Sequence, residues 1–424
     1  NCAADNVVIK FNQPVETINQ DTDTWIWGGQ TNTSWTTGTN WYKWDGSKWA
    51  VQSSSSPDAN SKVHILSNAS AGICVSGSNT GVVSAGMSSL NVGDGASLDL
   101  GSQNINITDD IVNNGNIIAG TGTVNLVGTE TQTISGLSSA TTEFNALVVN
   151  NSNDITMDIP FTVSSALTMT AGNINNGSNV LTLGNNDYAA LLHTSGIITG
   201  KLRRFFKNAY ATYFNPETGS SYQAVTHIFF PVGTQNDLRD VTVRLSSLPG
   251  TGQYLTVSYI DGAPTLYGGD SYEGLPLITD DNQVITNYDN QGYWDITPIG
   301  YNENINLIPY SMDIHMNNIP DATDYTKARI IKSAGSSTAS QHHVSWSGLT
   351  NQSVTGSNSD FTITGSSTGF SFFAGGSTNG DPLPVELLSF NGSCTDGVVD
   401  LGWQTASEYN SSHFELEHSR DGAT

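Results

Sequence analysis

The chain has 424 residues, 12% of them charged, with 38 acidic against 14 basic side chains and a net charge of −24. So negative a chain excludes electrostatic binding to nucleic acid or to an anionic membrane, and no apolar run approaches the roughly 20 residues of a transmembrane helix. The 43 glycines, with abundant Asn, Ser and Thr, mark an all-β extracellular composition: strands of Val, Ile, Leu and Thr, and turns of Asn, Gly and Asp. The length allows two or three domains. Asn1-Cys2 reads as a mature N-terminus left after processing.

Residues 1–80 form an entry region. Six of the nine tryptophans fall within it: Trp25, Trp27, Trp35, Trp41, Trp44 and Trp49. They have two readings. Trp41, Trp44 and Trp49 could form a stacking platform for sugars, because an indole face suits the apolar face of a pyranose. Alternatively the indoles cap the open end of a repeat array, which needs such a unit. The cap is favoured, because Trp25 and Trp27 share one strand face. The series Trp25-x-Trp27-Gly28, Trp35, Asn40-Trp41 and Pro57-Asp-Ala-Asn60 resembles a segment at the start of repetitive surface proteins of Bacteroidota. That resemblance implies that a β-solenoid follows.

Residues 81–190 repeat without a fixed motif: Ser89-Leu-Asn-Val, Ser97-Leu-Asp-Leu, Asn104-Ile-Asn-Ile, Thr123-Val-Asn-Leu, Ala146-Leu-Val-Val, Ala166-Leu-Thr-Met and Val180-Leu-Thr-Leu. Each is a short alternating strand followed by Gly, Asn or Asp. Strands this short and uncharged predict a short parallel β-helix with three strands per rung, apolar residues stacked inside. A β-sandwich is the runner-up, disfavoured by the scarcity of aromatics. No Lys or Arg lies between Lys62 and Lys201, so this stretch must rest on backbone ladders, apolar stacks and Asn, Ser and Thr hydrogen bonds.

From 191 to 376 aromatics return and strands lengthen, as in Val241-Thr-Val-Arg-Leu and Tyr254-Leu-Thr-Val-Ser-Tyr-Ile. This predicts an antiparallel β-sandwich. Lys201, Arg203, Arg204 and Lys207 gather four of the fourteen cations at its start. The patch reads as an interdomain joint against the acidic solenoid, as a dock for an acidic partner, or as a plain solvated strand with Leu202 and Phe206 inward. The joint is preferred.

Residues 377–424 are a linker and the first strands of a further module. Leu383-Pro-Val-Glu-Leu-Leu-Ser-Phe390, Val398-Val-Asp-Leu-Gly-Trp403 and Phe414-Glu-Leu-Glu417 read as three short strands, too few to bury a core. The protein is therefore expected to continue past Thr424. This wording resembles the fibronectin-III-like module that precedes the C-terminal sorting domain of proteins exported by the type IX secretion system of Bacteroidota. Phe229-Phe-Pro-Val-Gly-Thr234 and Gly369-Phe-Ser-Phe-Phe-Ala-Gly-Gly376 resemble the domain just before that module. The resemblance implies export by type IX machinery and an extracellular or outer-membrane cell-surface location.

No convincing catalytic set emerges. There is no HExxH, and His342-His343 face opposite sides of a strand. A polysaccharide lyase would need basic residues that the solenoid lacks. Asp94, Asp99, Asp109 and Asp110 could supply paired carboxylates for glycoside hydrolysis, but Asp in turns is usually turn chemistry. No cofactor is required; calcium is the one considered, through Asp21 and Asp23, Asp109 and Asp110, Asp280 and Asp281, and Asp321 and Asp324. Cys2 and Cys74 could pair, while Cys394 could pair with a cysteine beyond Thr424 or stay buried and reduced. Asn106-Ile-Thr and Asn176-Gly-Ser are sequon-like. The expected role is structural or adhesive, with self-assembly or a surface polysaccharide as the partner. The alternative is a carbohydrate-binding or polysaccharide-degrading protein.

Overall fold

A computed structural model describes residues 18, 20–29, 31–67, 86–207, 227–263, 275–299, 305–319, 324–333 and 346–378, with the strands at 78–79, 211–215, 220–224, 387–395 and 398–405. The protein is all-β, a solenoid of about five turns followed by antiparallel sheets.

The solenoid is a three-faced parallel β-helix. On the first face Leu90 stacks on Ile111, Ile111 on Ile134 and Ile134 on Met157. On the second, Leu98 stacks on Ile117 and Phe144 on Val163. On the third, Ile105, Val124, Leu147, Leu167 and Leu191 form one column. The period-2 runs explain this: in Ser89–Val92 and Thr123–Leu126 every second residue points inward and is buried. Burying each such side chain contributes roughly 1.5–3 kcal/mol.

The corners use uncharged amides and glycine. Asn113 and Asn151 are almost fully buried. Asn113 Nδ2 donates to the Thr141 carbonyl (2.8 Å) and its Oδ1 accepts from the Gly115 N–H (3.1 Å). Asn151 Nδ2 donates to the Glu130 carbonyl (2.7 Å). At the next corner Gly172 has φ +84°, and a Cβ there would lie 1.8 Å from the Asn151 carbonyl oxygen. Glycine alone fits this close approach.

The solenoid passes both expected boundaries. Strand β1 (Thr24–Trp27) pairs in parallel with Lys62–Ile65, which stacks on Ser89–Val92, so the Trp-rich region is a continuation of the helix and not a separate unit ending at 80. On the other edge of β1 lie β2 (Trp41–Trp44) and β3 (Trp49–Val51), both antiparallel. At the far end the parallel stack includes Leu191–His193 and Ile198–Phe205, beyond the expected end at 190.

The strand Ile198–Phe205 is where the architecture changes. One edge pairs in parallel with Val180–Leu183, and its other edge pairs antiparallel with Tyr254–Val257. The first sandwich sheet continues through Gly292–Ile299, Phe372–Thr378, Arg329–Ser333 and Trp346–Gly348. The second runs His227–Phe230, Val241–Leu245, Tyr310–Asn317, Asp360–Ser367, Thr350–Ser357. A single hydrophobic cluster extends from Trp25 through the solenoid to Phe373. Leu387–Thr395 and Val398–Thr405 form a separate two-stranded hairpin; residues 383–386 and 414–417 lie outside the described residues.

Candidate functional site

The tryptophans divide by burial. Trp25, Trp27, Trp35 and Trp41 are each less than 5% exposed. Trp41 sits at their centre, with ring centroids 5.0 Å from Trp27 and 4.6 Å from Trp35, both edge-to-face, and its Nε1 donates to the Trp35 carbonyl. A sugar platform of Trp41, Trp44 and Trp49 is therefore not present. Trp41 is sealed in the core, and Trp44 and Trp49 are half-buried cross-strand partners inclined at 64°.

Most of the described side chains of the acidic pairs are engaged by the protein. Lys62 Nζ lies 2.8 Å from Asp21 and 3.6 Å from Asp23. Asp110 Oδ1 accepts from the Thr133 N–H, and Asp109 offers its backbone carbonyl to Gln132. Asp280 accepts from the Asn351 N–H. Asp281 pairs with the buried Arg329 guanidinium, which holds its carboxyl below the usual range. Asp324 caps a short 3₁₀ turn and faces Lys327; Asp321 lies outside the described residues. Among the described residues no three His, Cys, Asp or Glu side chains converge on a metal position. The expected calcium sites at Asp21 and Asp23 and at Asp281 are occupied instead by lysine and arginine. Cys2 and Cys74 lie outside the described residues, as do His342 and His343. Cys394 is exposed and unbridged, not buried. Asn176 is fully buried and donates to the Lys201 carbonyl, so it is no glycan acceptor in the folded protein.

Strand alternation splits the basic patch. Leu202, Arg204 and Phe206 point inward and are 0–1% exposed. The Arg204 guanidinium donates to the carbonyls of Phe229 (2.8 Å), Tyr188 (3.1 Å) and Asp187 (3.3 Å), tying the last solenoid turn to the sandwich. Burial pushes its pKa down to about 10, so it remains cationic at neutral pH. Lys207 lies 2.9 Å from Asp187 and holds that carboxyl below its ordinary value. Lys201 and Arg203 emerge on the opposite face. Arg203 covers the Tyr254 ring at 4.7 Å and its Nε lies 3.3 Å from Thr256 Oγ1.

A cleft of about 510 Å³ opens beside Lys201. Its origin is topological. Strands Ile198–Phe205 and Tyr254–Asp261 pair only over Leu202–Phe205 and Tyr254–Val257. Before Leu202 the first strand turns aside, its Ile198 N–H donating to the Pro231 carbonyl. The two strands thus form a fork. Thr199 and Lys201 line one wall, and Ser258, Asp261 and Asp295 line the other. Ser258 and Asp295 are register partners on adjacent strands, so they share a face. Gln235 closes the end, on a loop clamped to the solenoid by Asn173 Nδ2 donating to its carbonyl (3.0 Å).

Behind the cleft lies a group that the sequence does not reveal. Tyr259 lines the cleft and is 6% exposed; the Arg239 guanidinium lies 5.7 Å from its ring. Asp289 is 5% exposed, and burial pushes its pKa up to about 6, against the opposing pull of the Gln291 N–H and Arg239. Tyr259 Oη, Arg239 Nε and Asp289 Oδ2 are all buried without hydrogen-bond partners. The charged strand position in Trp294-Asp295-Ile296, between two fully buried residues, is a sequence signal that could have marked the polar face. Asp289, in a turn, carries none.

No protein-family model, no curated protein and no solved structure matches this chain.

Proposed function

We propose that the chain is the stiff body of a secreted cell-surface protein with a structural or adhesive role, exported by a type IX route. The observation that carries this reading is the single core running from the tryptophan cap to Phe373. One strand belongs to both the parallel and the antiparallel part, and Arg204 fastens the joint. Such a body transmits position and force with little bending and needs no moving part for chemistry. The Trp box and the closing segment from Asp381 support the export route through their resemblance to type IX substrates. The uncharged Asn, Ser and Thr surface suits an extracellular scaffold, and no described helix is long and apolar enough to cross a membrane.

The test is protease shaving of intact producing cells, followed by detection of the chain, with imaging of the purified protein by negative stain. Recovery of the chain from the shaved surface fraction or the medium is expected, and ordered filaments or sheets would add self-assembly to the role. A chain confined to the cytoplasmic fraction would sink the reading.

A further inference from the structure

We infer that the fork between Ile198–Phe205 and Tyr254–Asp261 is a binding site for an uncharged, hydroxyl-rich ligand, a neutral sugar unit of a glycan. The inference rests on the adhesive reading for its biological sense, but it stands on the cleft itself. The volume of about 510 Å³ falls in the ~300–1,000 Å³ range of small-molecule sites. The cleft exists because two strands that pair further along separate here, and its walls belong to rigid sheets on both sides of the joint. The loop carrying Gln235 is held to the solenoid from below. The space is thus preformed and does not rely on a mobile segment.

The lining decides the ligand class. Two carboxylates, Asp261 and Asp295, face one ammonium, Lys201. An anionic ligand such as a phosphate or uronate would meet surplus negative charge in a chain already at −24. An apolar ligand would take the Asp261 carboxylate and the Lys201 ammonium out of water without replacing its hydrogen bonds. A sugar hydroxyl satisfies both kinds of group, donating to Asp261 and accepting from Lys201. Glycines at 177, 200 and 233 lower the rim, and at Gly200 a Cβ would strike Asn176 Oδ1. The site therefore lies with the basic patch, and not with the tryptophans.

The experiment uses the intact chain and isothermal titration with neutral oligosaccharides ending in glucose, galactose, mannose or N-acetylglucosamine, with and without calcium or chelator. Binding of at least one sugar is expected, weakened about tenfold or more by Lys201→Ala and by Asp261→Asn, which leave the far-ultraviolet circular dichroism unchanged. Trp49→Ala and Lys207→Ala, both outside the cleft, should bind as the parent does. The proposal is overturned if no neutral sugar binds, if the cleft variants bind normally, or if a bare calcium ion or a charged sugar binds in place of a neutral one. Such a failure leaves the surface reading standing, because that is decided by shaving intact cells.

Discussion

The solenoid and the sandwich solve the same problem with different polar chemistry. Between Ser89 and Leu183 of the solenoid the buried polar side chains are Asn113, Gln132, Thr142, Asn151 and Asn176, none of which titrates. His64, near the cap, is pushed down to about 4 by burial and stays neutral at ordinary pH. The sandwich and its joint bury Arg204, Arg239, Asp289 and Arg329. An amide network in the corners keeps its hydrogen bonds at any pH, whereas buried ions depend on partners and on protonation. Stability of the solenoid should therefore be a matter of packing, and stability of the sandwich partly a matter of pH.

The largest expected effect lies at the cap, and it tests whether packing dominates the first half. Trp41→Ala removes a fully buried indole contacting three others and should cost about 3–5 kcal/mol. Trp49→Ala, at a half-buried position, should cost roughly 1 kcal/mol. Denaturant unfolding followed by fluorescence measures both. Equal losses would mean that the two indoles do the same work and that burial does not separate them.

A smaller effect of opposite sign is expected in the sandwich. Folding raises the Asp289 carboxyl from 3.8 to about 6, so between those values the folded state holds a proton that the unfolded chain has released. Stability contributed by this group is then fully present below about pH 4, declines as pH rises to about 6 and is flat above. Asp289→Asn keeps an oxygen to accept from the Gln291 N–H and removes the buried charge. The variant should be more stable than the parent by ~1–3 kcal/mol at pH 7, a gain limited by the loss of attraction to Arg239. Urea midpoints at pH 4, 5, 6 and 7 test this, and parallel curves for parent and variant would reject it.

Much of this contrast was legible in the chain before any fold was known, and the reasons are physical. Period-2 runs such as Ser89-Leu-Asn-Val dictate inward and outward faces, so the solenoid strands and their buried residues follow directly. The same alternation places Arg204 with Leu202 and Phe206, on the inward side. The boundaries were not legible, because Ile198–Phe205 satisfies a parallel neighbour on one edge and an antiparallel neighbour on the other. A strand's own residues do not encode the direction of its partners. The cleft was hidden for a related reason: Ser258 meets Asp295 through strand register, and their separation along the chain gives no hint of it. The acidic pairs misled because a carboxylate in a loop looks the same whether its partner is a calcium ion or, as at Asp21, the side chain of Lys62.

The smallest effect concerns His315, on the second sandwich sheet, whose ring nitrogens lie 2.9 Å from Asp240 and 3.0 Å from Asp360. The Asp240 carboxylate beside Nδ1 is the main cause that raises its pKa above 6.5, helped by Asp360 and opposed by partial burial. The sign is that of a cation gaining partners: the stabilisation is complete below about 6.5 and is lost as pH rises through the raised value. Because Asp360 is largely exposed, solvent screens the pair, and His315→Gln should cost only ~0.5 kcal/mol at pH 5 and close to nothing at pH 9. Thermal unfolding at the two pH values measures the difference, and a loss that persists at pH 9 would assign His315 a packing role. In the parent the two slopes separate by range, one lying between about 4 and 6 and the other above 6.5, and Asp289→Asn removes the first. Both belong to the antiparallel half, where Asp289 lies near Arg239 and His315 lies between Asp240 and Asp360.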